Sequence, residues 1–408
     1  MYFENDYNNI SKRDNLSMIL RLINMEGCIS RIQLSRFTGL TKTTITNIIN
    51  RLSLHNLVVE YGQQTNTSTG RRPILLSINK DAYNIIGIYL SRDNFVIVRT
   101  DLFGNIKARQ GFEFELGDSL DTVLSRIIRL TSKMISTDAD NILGIGIGSI
   151  GPIDMNRGII LEPPNFRNWK GVPIVSILKK HFPYPIFIDN DMNGCALAER
   201  FLGHGKKLEN FVYLGVTNGL GTGIVINGQL YRGQNGFAGE IGHTTVDLSG
   251  EKCPCGNYGC LELYISIPRI IEQVKTALLA GTKSIINDIC ADTDHVTWPM
   301  VVEGALQGDG LALSIIDKMS FYLSTGLTNI LNTFDPQAVF LGNELSIAGN
   351  LLGNRLKTMV DQRIFAGNYR KIKISISKFA KEAPIIGAVA IVLEKLYTGQ
   401  LNDIVFKQ

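Results

Sequence analysis

The chain has 408 residues, too many for one ordinary core and suited to two or three domains. Its 44% hydrophobic and 19% charged content excludes a disordered chain, and no stretch has the length and apolarity of a membrane span. Net charge is +4, but residues 1–80 hold ten Lys/Arg against five Asp/Glu, so the remainder stands at −1. A basic module on a near-neutral body implies a polyanion partner for the module alone. The polar start MYFENDYNNISKRDN is no signal peptide, which places the protein in the cytoplasm.

Residues 15–25 read as an amphipathic helix with Leu16, Ile19, Leu20 and Ile23 on one side, ended by Gly27. Ser30 opens a second short helix that uses Ile32, Leu34 and Phe37 and closes at Gly39. Thr41 is the expected N-cap of a third, in which Ile45, Ile48, Ile49 and Leu52 follow helical spacing. Its other face carries Lys42, Thr43, Thr44, Asn47 and Arg51. A helix–Gly turn–helix pair of this kind is a helix-turn-helix, whose second helix enters a major groove. Two short strands follow, Leu57–Tyr61 and Ile74–Ile78, around a polar loop that holds Arg71 and Arg72. Strand, loop, strand makes the module a winged helix-turn-helix, with arginines at the wing to reach phosphates or a narrow minor groove. Residues 1–80 are thus expected to bind DNA, against the blander reading of a helical packing module with a solvated basic face.

From residue 81 strands and helices alternate, which indicates an α/β body. Ile85–Leu90 and Phe95–Thr100 read as a hairpin, Leu120–Ile135 as a helix and Ile142–Ile150 as a buried strand. Ile186–Ile188 is a short strand before Asp189-Asn190-Asp191 and a helix over Asn193–Phe201. Asp191 suits a general base or a helix cap. Phe211–Val216 and Gly223–Ile226 flank Thr217–Gly223, which reads either as a phosphate-cradling turn or as a tight hairpin.

Three of the six cysteines crowd into one loop with a histidine: His243, Cys253, Cys255 and Cys260. In a reducing compartment such clustering favours metal over disulfides, and this donor set suits tetrahedral zinc with no open position, hence a structural ion. Glu240 and Glu262 flank the cluster. Carboxylates held on a rigid knuckle are acceptors for the hydroxyls of a sugar; on spacing alone they are equally ordinary surface groups.

Together these motifs resemble the ROK family (repressors, open reading frames, kinases), in its repressor branch. The carriers are Gly239-Glu240-Ile241-Gly242-His243 with Cys253 to Glu262, Asn190-Asp191 with Asn193 and Ala196, Gly151-Pro152-Ile153-Asp154, Pro164-Asn165, Leu341-Gly342 and Ile386-Gly387-Ala388. The resemblance implies a two-lobed actin-like ATPase (RNase H-like) body after the winged helix-turn-helix of residues 1–80. The first lobe would be residues 81–195, completed by about 384–408; the second would be 196–383, with the zinc knuckle and an oligomerisation surface. It also implies that Asn165, Asn190, Asp191, Glu240, His243 and Glu262 contact a sugar, and that Asp191 is the base in a kinase member. Three departures fall on the nucleotide side. Tyr89 stands where a kinase has the first Asp of D-x-G-x-T, Thr217-Asn218-Gly219 replaces G-T-G, and Gly342-Asn343 replaces a late Gly-Gly. A bulky aromatic cannot hold a metal-bound nucleotide. The expectation is therefore a repressor, not an enzyme, with Asp191 a vestigial base. It would be a homodimer or dimer of dimers on palindromic operator DNA, answering a pentose or hexose such as xylose. The alternative is an active ATP-dependent sugar kinase.

Overall fold

The computed structural model describes residues 12–63, 73–115, 117–136, 141–163, 166–167, 169–290, 292–370 and 372–406, the side chains of residues 12–14 and 63 excepted. Arg71, Arg72 and Asn165 lie outside them. The chain divides into two compact units, one of residues up to Asp191 together with those from Ile385, the other Met192–Pro384.

The first unit starts with α1 (Lys12–Glu26), β1 (Ile29–Ser30), α2 (Arg31–Thr38), α3 (Lys42–Leu54), β2 (Val58–Gln63) and β3 (Ile74–Ile78). Ser30 caps α2 in a reciprocal capping box with Gln33, and Gly39 ends it in the left-handed region at φ 70°. Thr41 caps α3 through the backbone N–H of Thr44. The three strands form one antiparallel sheet, β1-β3-β2. The expected face of α2 is corrected: Leu34 and Thr38 are buried, while Ile32 and Phe37 are 44% and 49% exposed. Leu34 and Thr38 are four residues apart and share one face of this eight-residue helix; Ile32 and Phe37 fall off that line.

Next come β4 (Asn84–Leu90), β5 (Asn94–Thr100), β6 (Ile106–Glu113), α4 (Leu120–Ile135), β7 (Ile142–Ser149), β8 (Ile153–Asp154), β9 (Ile159–Ile160), α5 (Ile174–Lys179) and β10 (Ile186–Asn190). The main sheet runs β10-β7-β4-β5-β6, with β4, β5 and β6 an antiparallel meander and β7 and β10 parallel to β4. Strand β7 alternates isoleucine or leucine with glycine. Ile145 and Ile147 join the core with Val123, Leu124 and Ile127 of α4.

The second unit holds α6 (Asp191–Phe201, its first residue on the border), β11 (Phe211–Val216), β12 (Leu220–Ile226), β13 (Gln229–Leu230), α7 (Glu262–Ile265), α8 (Ile267–Leu279), α9 (Ile286–Ile289), α10 (Trp298–Leu306), α11 (Gly310–Phe334), β14 (Ala338–Asn343), α12 (Leu345–Asp361) and β15 (Lys373–Ile376). Its sheet runs β13-β12-β11-β14-β15. Again three consecutive strands form an antiparallel meander and two later strands run parallel to the first. The two sheets thus have one topology, though their sequences show no repeat.

The chain returns to the first unit in α13 (Ala383–Tyr397) and ends in α14 (Asn402–Val405). Helix α13 crosses the glycine side of β4 and β7: a Cβ on Gly87 would meet Val389 Cγ2 at 2.8 Å, and one on Gly146 would overlap the carbonyl oxygen of Ala388. The same end of the chain reaches the N-terminal module, where Asn402 Nδ2 lies 3.3 Å from Ser17 Oγ of α1. No helix of the described residues is long and apolar enough to cross a membrane.

Candidate metal and ligand site

His243 ends a short 3-10 turn, Ile241–His243, and the three cysteines follow in a tight loop. Two backbone hydrogen bonds shape that loop: Cys253 N–H donates to Asn257 O at 2.7 Å, and Gly256 N–H donates to Cys253 O at 2.9 Å. Asn257 Nδ2 donates to His243 O at 3.0 Å and to Thr245 Oγ1 at 3.1 Å, tying the loop to the segment that carries the histidine. The four donor atoms all lie within 4.8 Å of one another. Cys255 Sγ is 3.8 Å from Cys260 Sγ, and Cys253 Sγ is 3.7 Å from His243 Nδ1. Sulfurs about 2.3 Å from a tetrahedral zinc stand about 3.8 Å apart, so the residues fit such an ion. Burial pushes the Cys253 thiol up and the Cys260 thiol up to about 12, whereas the Asn257 backbone N–H pulls Cys255 down. A divalent cation reverses this balance by taking the thiolates directly.

The flanking carboxylates are placed by different means. Leu261, between Cys260 and Glu262, is fully buried, and a Cβ on Gly326 of α11 would overlap it. That anchor sets the start of α7. Glu262 Oε2 accepts the backbone N–H of Leu220 at 2.9 Å. Glu240 precedes the 3-10 turn. Desolvation raises its carboxyl above the usual range, His243 opposes this, and Glu262 adds to it. Glu240, His243, Glu262 and the three cysteines are therefore one cluster in the second unit. Because Nδ1 of His243 faces Cys253, its Nε2 is left for another partner.

In the first unit, Asn190 is the last residue of β10, and Asp191 opens α6 with its side chain 6% exposed. Asp191 is thus the first residue of α6. Asn190 and Gly151 are neighbours: a Cβ on Gly151 would sit 3.2 Å from Asn190 Nδ2. The glycine-rich segment resolves to a hairpin. Thr217–Gly219 is the turn, and β12 begins at Leu220, paired with Val216.

The ROK family profile matches residues 85–395. The chain belongs to the ROK family. It is 33% identical to the xylose repressor of Caldicellulosiruptor bescii over 388 residues, 94% of this chain and 96% of that one. It is 28% identical to the DNA-binding transcriptional repressor Mlc of Escherichia coli, covering 96% and 95% of the two chains. Among solved structures, a ROK family transcriptional regulator described as a homologue of E. coli Mlc superposes with a TM-score of 0.83 at 29% identity, over 97% of this chain and 99% of that one. A ROK glucokinase from Streptomyces griseus shares the fold, with a TM-score of 0.69 at 23% identity over 76% of this chain and 99% of its own.

The residues that depart from the kinase-like motifs are placed by the fold as follows. Tyr89 sits at the C-terminal end of β4, in register with Val96 and Gly148. Asn343 is buried in the left-handed region at φ 54°, and its Oδ1 accepts the Tyr213 hydroxyl at 2.6 Å. A Cβ on Gly342 would overlap that hydroxyl.

The expected DNA face of α3 is only partly as the sequence suggests. Lys42, Thr43, Asn47 and Arg51 are exposed. Thr44 is half-buried, and its hydroxyl is 2.9 Å from that of Thr41, inside the cap. The Arg51 guanidinium lies over the Phe406 ring, 5.0 Å from its centroid, and His55 meets the same ring edge-on. Phe406 is not legible beside Arg51 in the sequence, since no local pattern joins residue 406 to residue 51.

Proposed function

We propose that this ROK protein is a cytoplasmic, sugar-responsive transcriptional repressor with a structural zinc ion. One observation carries the reading: the sugar-side residues are kept while Tyr89 stands at the first phosphate position. The basic helix-turn-helix on the same chain, and full-length similarity to proteins named as xylose repressors and as Mlc, support it. Residues 1–80 bind operator DNA as a winged helix-turn-helix. Lys42, Thr43, Thr44, Asn47 and Arg51 act on the recognition helix, and Arg71 and Arg72 on the wing. Asn165, Asn190, Asp191, Glu240, His243 and Glu262 receive the hydroxyls of a pentose or hexose, with xylose the first candidate. His243, Cys253, Cys255 and Cys260 hold the zinc, which fixes the loop and leaves the carboxylates to bind. The protein works as a homodimer or dimer of dimers on a palindromic site. Sugar shifts DNA affinity only through its different affinity for the two arrangements of the protein.

The test is operator binding by fluorescence anisotropy with D-xylose, D-glucose and N-acetylglucosamine. At least one sugar is expected to change DNA affinity; no effect from any would sink the sensing role. A coupled ADP-release assay with the same sugars and ATP should read background, since Tyr89 offers no metal-organising carboxylate. Asn47→Ala is expected to lose roughly 1–3 kcal/mol of operator affinity and to relax base preference at one position, while sugar binding stays intact. A binding-site selection experiment checks it.

A further inference from the structure

We infer that the first residues of β12, where a kinase would cradle phosphate, act as a strut that positions the ligand-facing carboxylates. The inference rests on the sugar reading of Glu240 and Glu262 and adds positioning residues to it. Three contacts converge on this short stretch. The Leu220 N–H holds Glu262 Oε2 at 2.9 Å. The Thr222 hydroxyl donates to the Gly239 carbonyl at 2.7 Å, one peptide before Glu240. The Leu220 carbonyl lies so near Gly242 that a Cβ there would come within 2.6 Å, one residue before His243. Thr222 is 4% exposed and Leu220 likewise, so water does not stand in for either contact.

The glycines of both motifs follow from this close approach. A Cβ on Gly219 would meet Glu262 Oε2 at 2.6 Å, and one on Gly239, at φ 93°, would meet the Thr222 carbonyl at 2.6 Å. A Gly-rich segment beside a broken phosphate motif is thus retained for another reason: two loops must lie against its backbone. The strut also sets the chemistry on offer. Glu262 has one oxygen committed to the protein as an acceptor, so a ligand on its carboxylate has to bring a hydroxyl donor. Thr222 is a positioning residue, since its hydroxyl is directed to Gly239 and acts through Glu240.

The test compares Thr222→Val, which keeps shape and removes the donor, with Thr222→Ser, which restores it. In Thr222→Val, affinity for the responsive sugar is expected to fall roughly tenfold, because a buried carbonyl loses its partner. Metal content should stay full, and Thr222→Ser should recover to within about twofold of the parent. Unchanged sugar affinity in Thr222→Val, or no recovery in Thr222→Ser, would overturn the strut. Crystal structures of both variants supply a readout that needs no sugar. The Gly239–Glu240 peptide is expected to shift in the valine variant and return in the serine variant; a fixed peptide in both would also overturn it. If the parent protein answers no sugar, the sensing role falls, and the structures still decide the strut.

Discussion

Adding a single methyl group at Gly146 is expected to destabilise the first unit by on the order of 3–5 kcal/mol. Gly146 faces α13 across the sheet, and its new Cβ would overlap the Ala388 carbonyl oxygen, which is backbone and cannot rotate away. To make room, α13 must lift from β7, and Ala388, Val389 and Val392, now fully buried, must repack with it. Gly144→Ala is the matched control. Its Cβ would lie 3.1 Å from Pro185 O and 3.3 Å from Val392 Cγ1, contacts that a shift of a few tenths of an ångström relieves. The control should cost about 1 kcal/mol. Urea unfolding of both variants reads the difference; a Gly146→Ala loss as small as the control would show that α13 is free to slide.

The second large effect is expected at Cys260. Cys260→Ser keeps the size of a fully buried side chain and removes a thiolate donor. The metal should be lost, and with it the sugar response, because the neighbouring Leu261-Glu262 segment starts from this residue. Zinc-finger peptides owe about 10–16 kcal/mol of apparent folding energy to their ion. Here the second unit keeps its own core, so the loss should be on the order of 3 kcal/mol, a melting shift of about 6–12 °C. Metal analysis and calorimetry measure the two parts. A variant that lost metal but bound sugar at full affinity would show that the knuckle does not organise the pocket.

Much of this was legible along the chain, for identifiable reasons. The capped helices α2 and α3 announce their ends through Ser30, Gly39 and Thr41, because capping is a contact within a few residues. The His–Cys cluster was readable from spacing because its four donors come from eighteen consecutive residues. Helix α4 and strand β11 were readable to their end residues, α4 from its helical period and β11 from an unbroken apolar run bounded by polar and Gly-containing turns. The glycine-rich segment was ambiguous between cradle and hairpin because both need the same residues; its pairing with β11 shows that it forms a hairpin.

The sequence by itself thus determined the capped helices of the N-terminal module, several strands and helices up to Ile226, the donor set and the family, each a matter of residue type at short range. Only the tertiary structure decided that both sheets share one topology, which is carried by strand order and not by side-chain identity. It alone placed the Thr44 hydroxyl in a cap, set Arg51 over Phe406, and aimed Thr222 and the Leu220 N–H at the carboxylate loops. These are contacts between residues 17 to 355 positions apart or between competing local partners. No periodicity encodes them, because they arise only when packing brings separate backbones together.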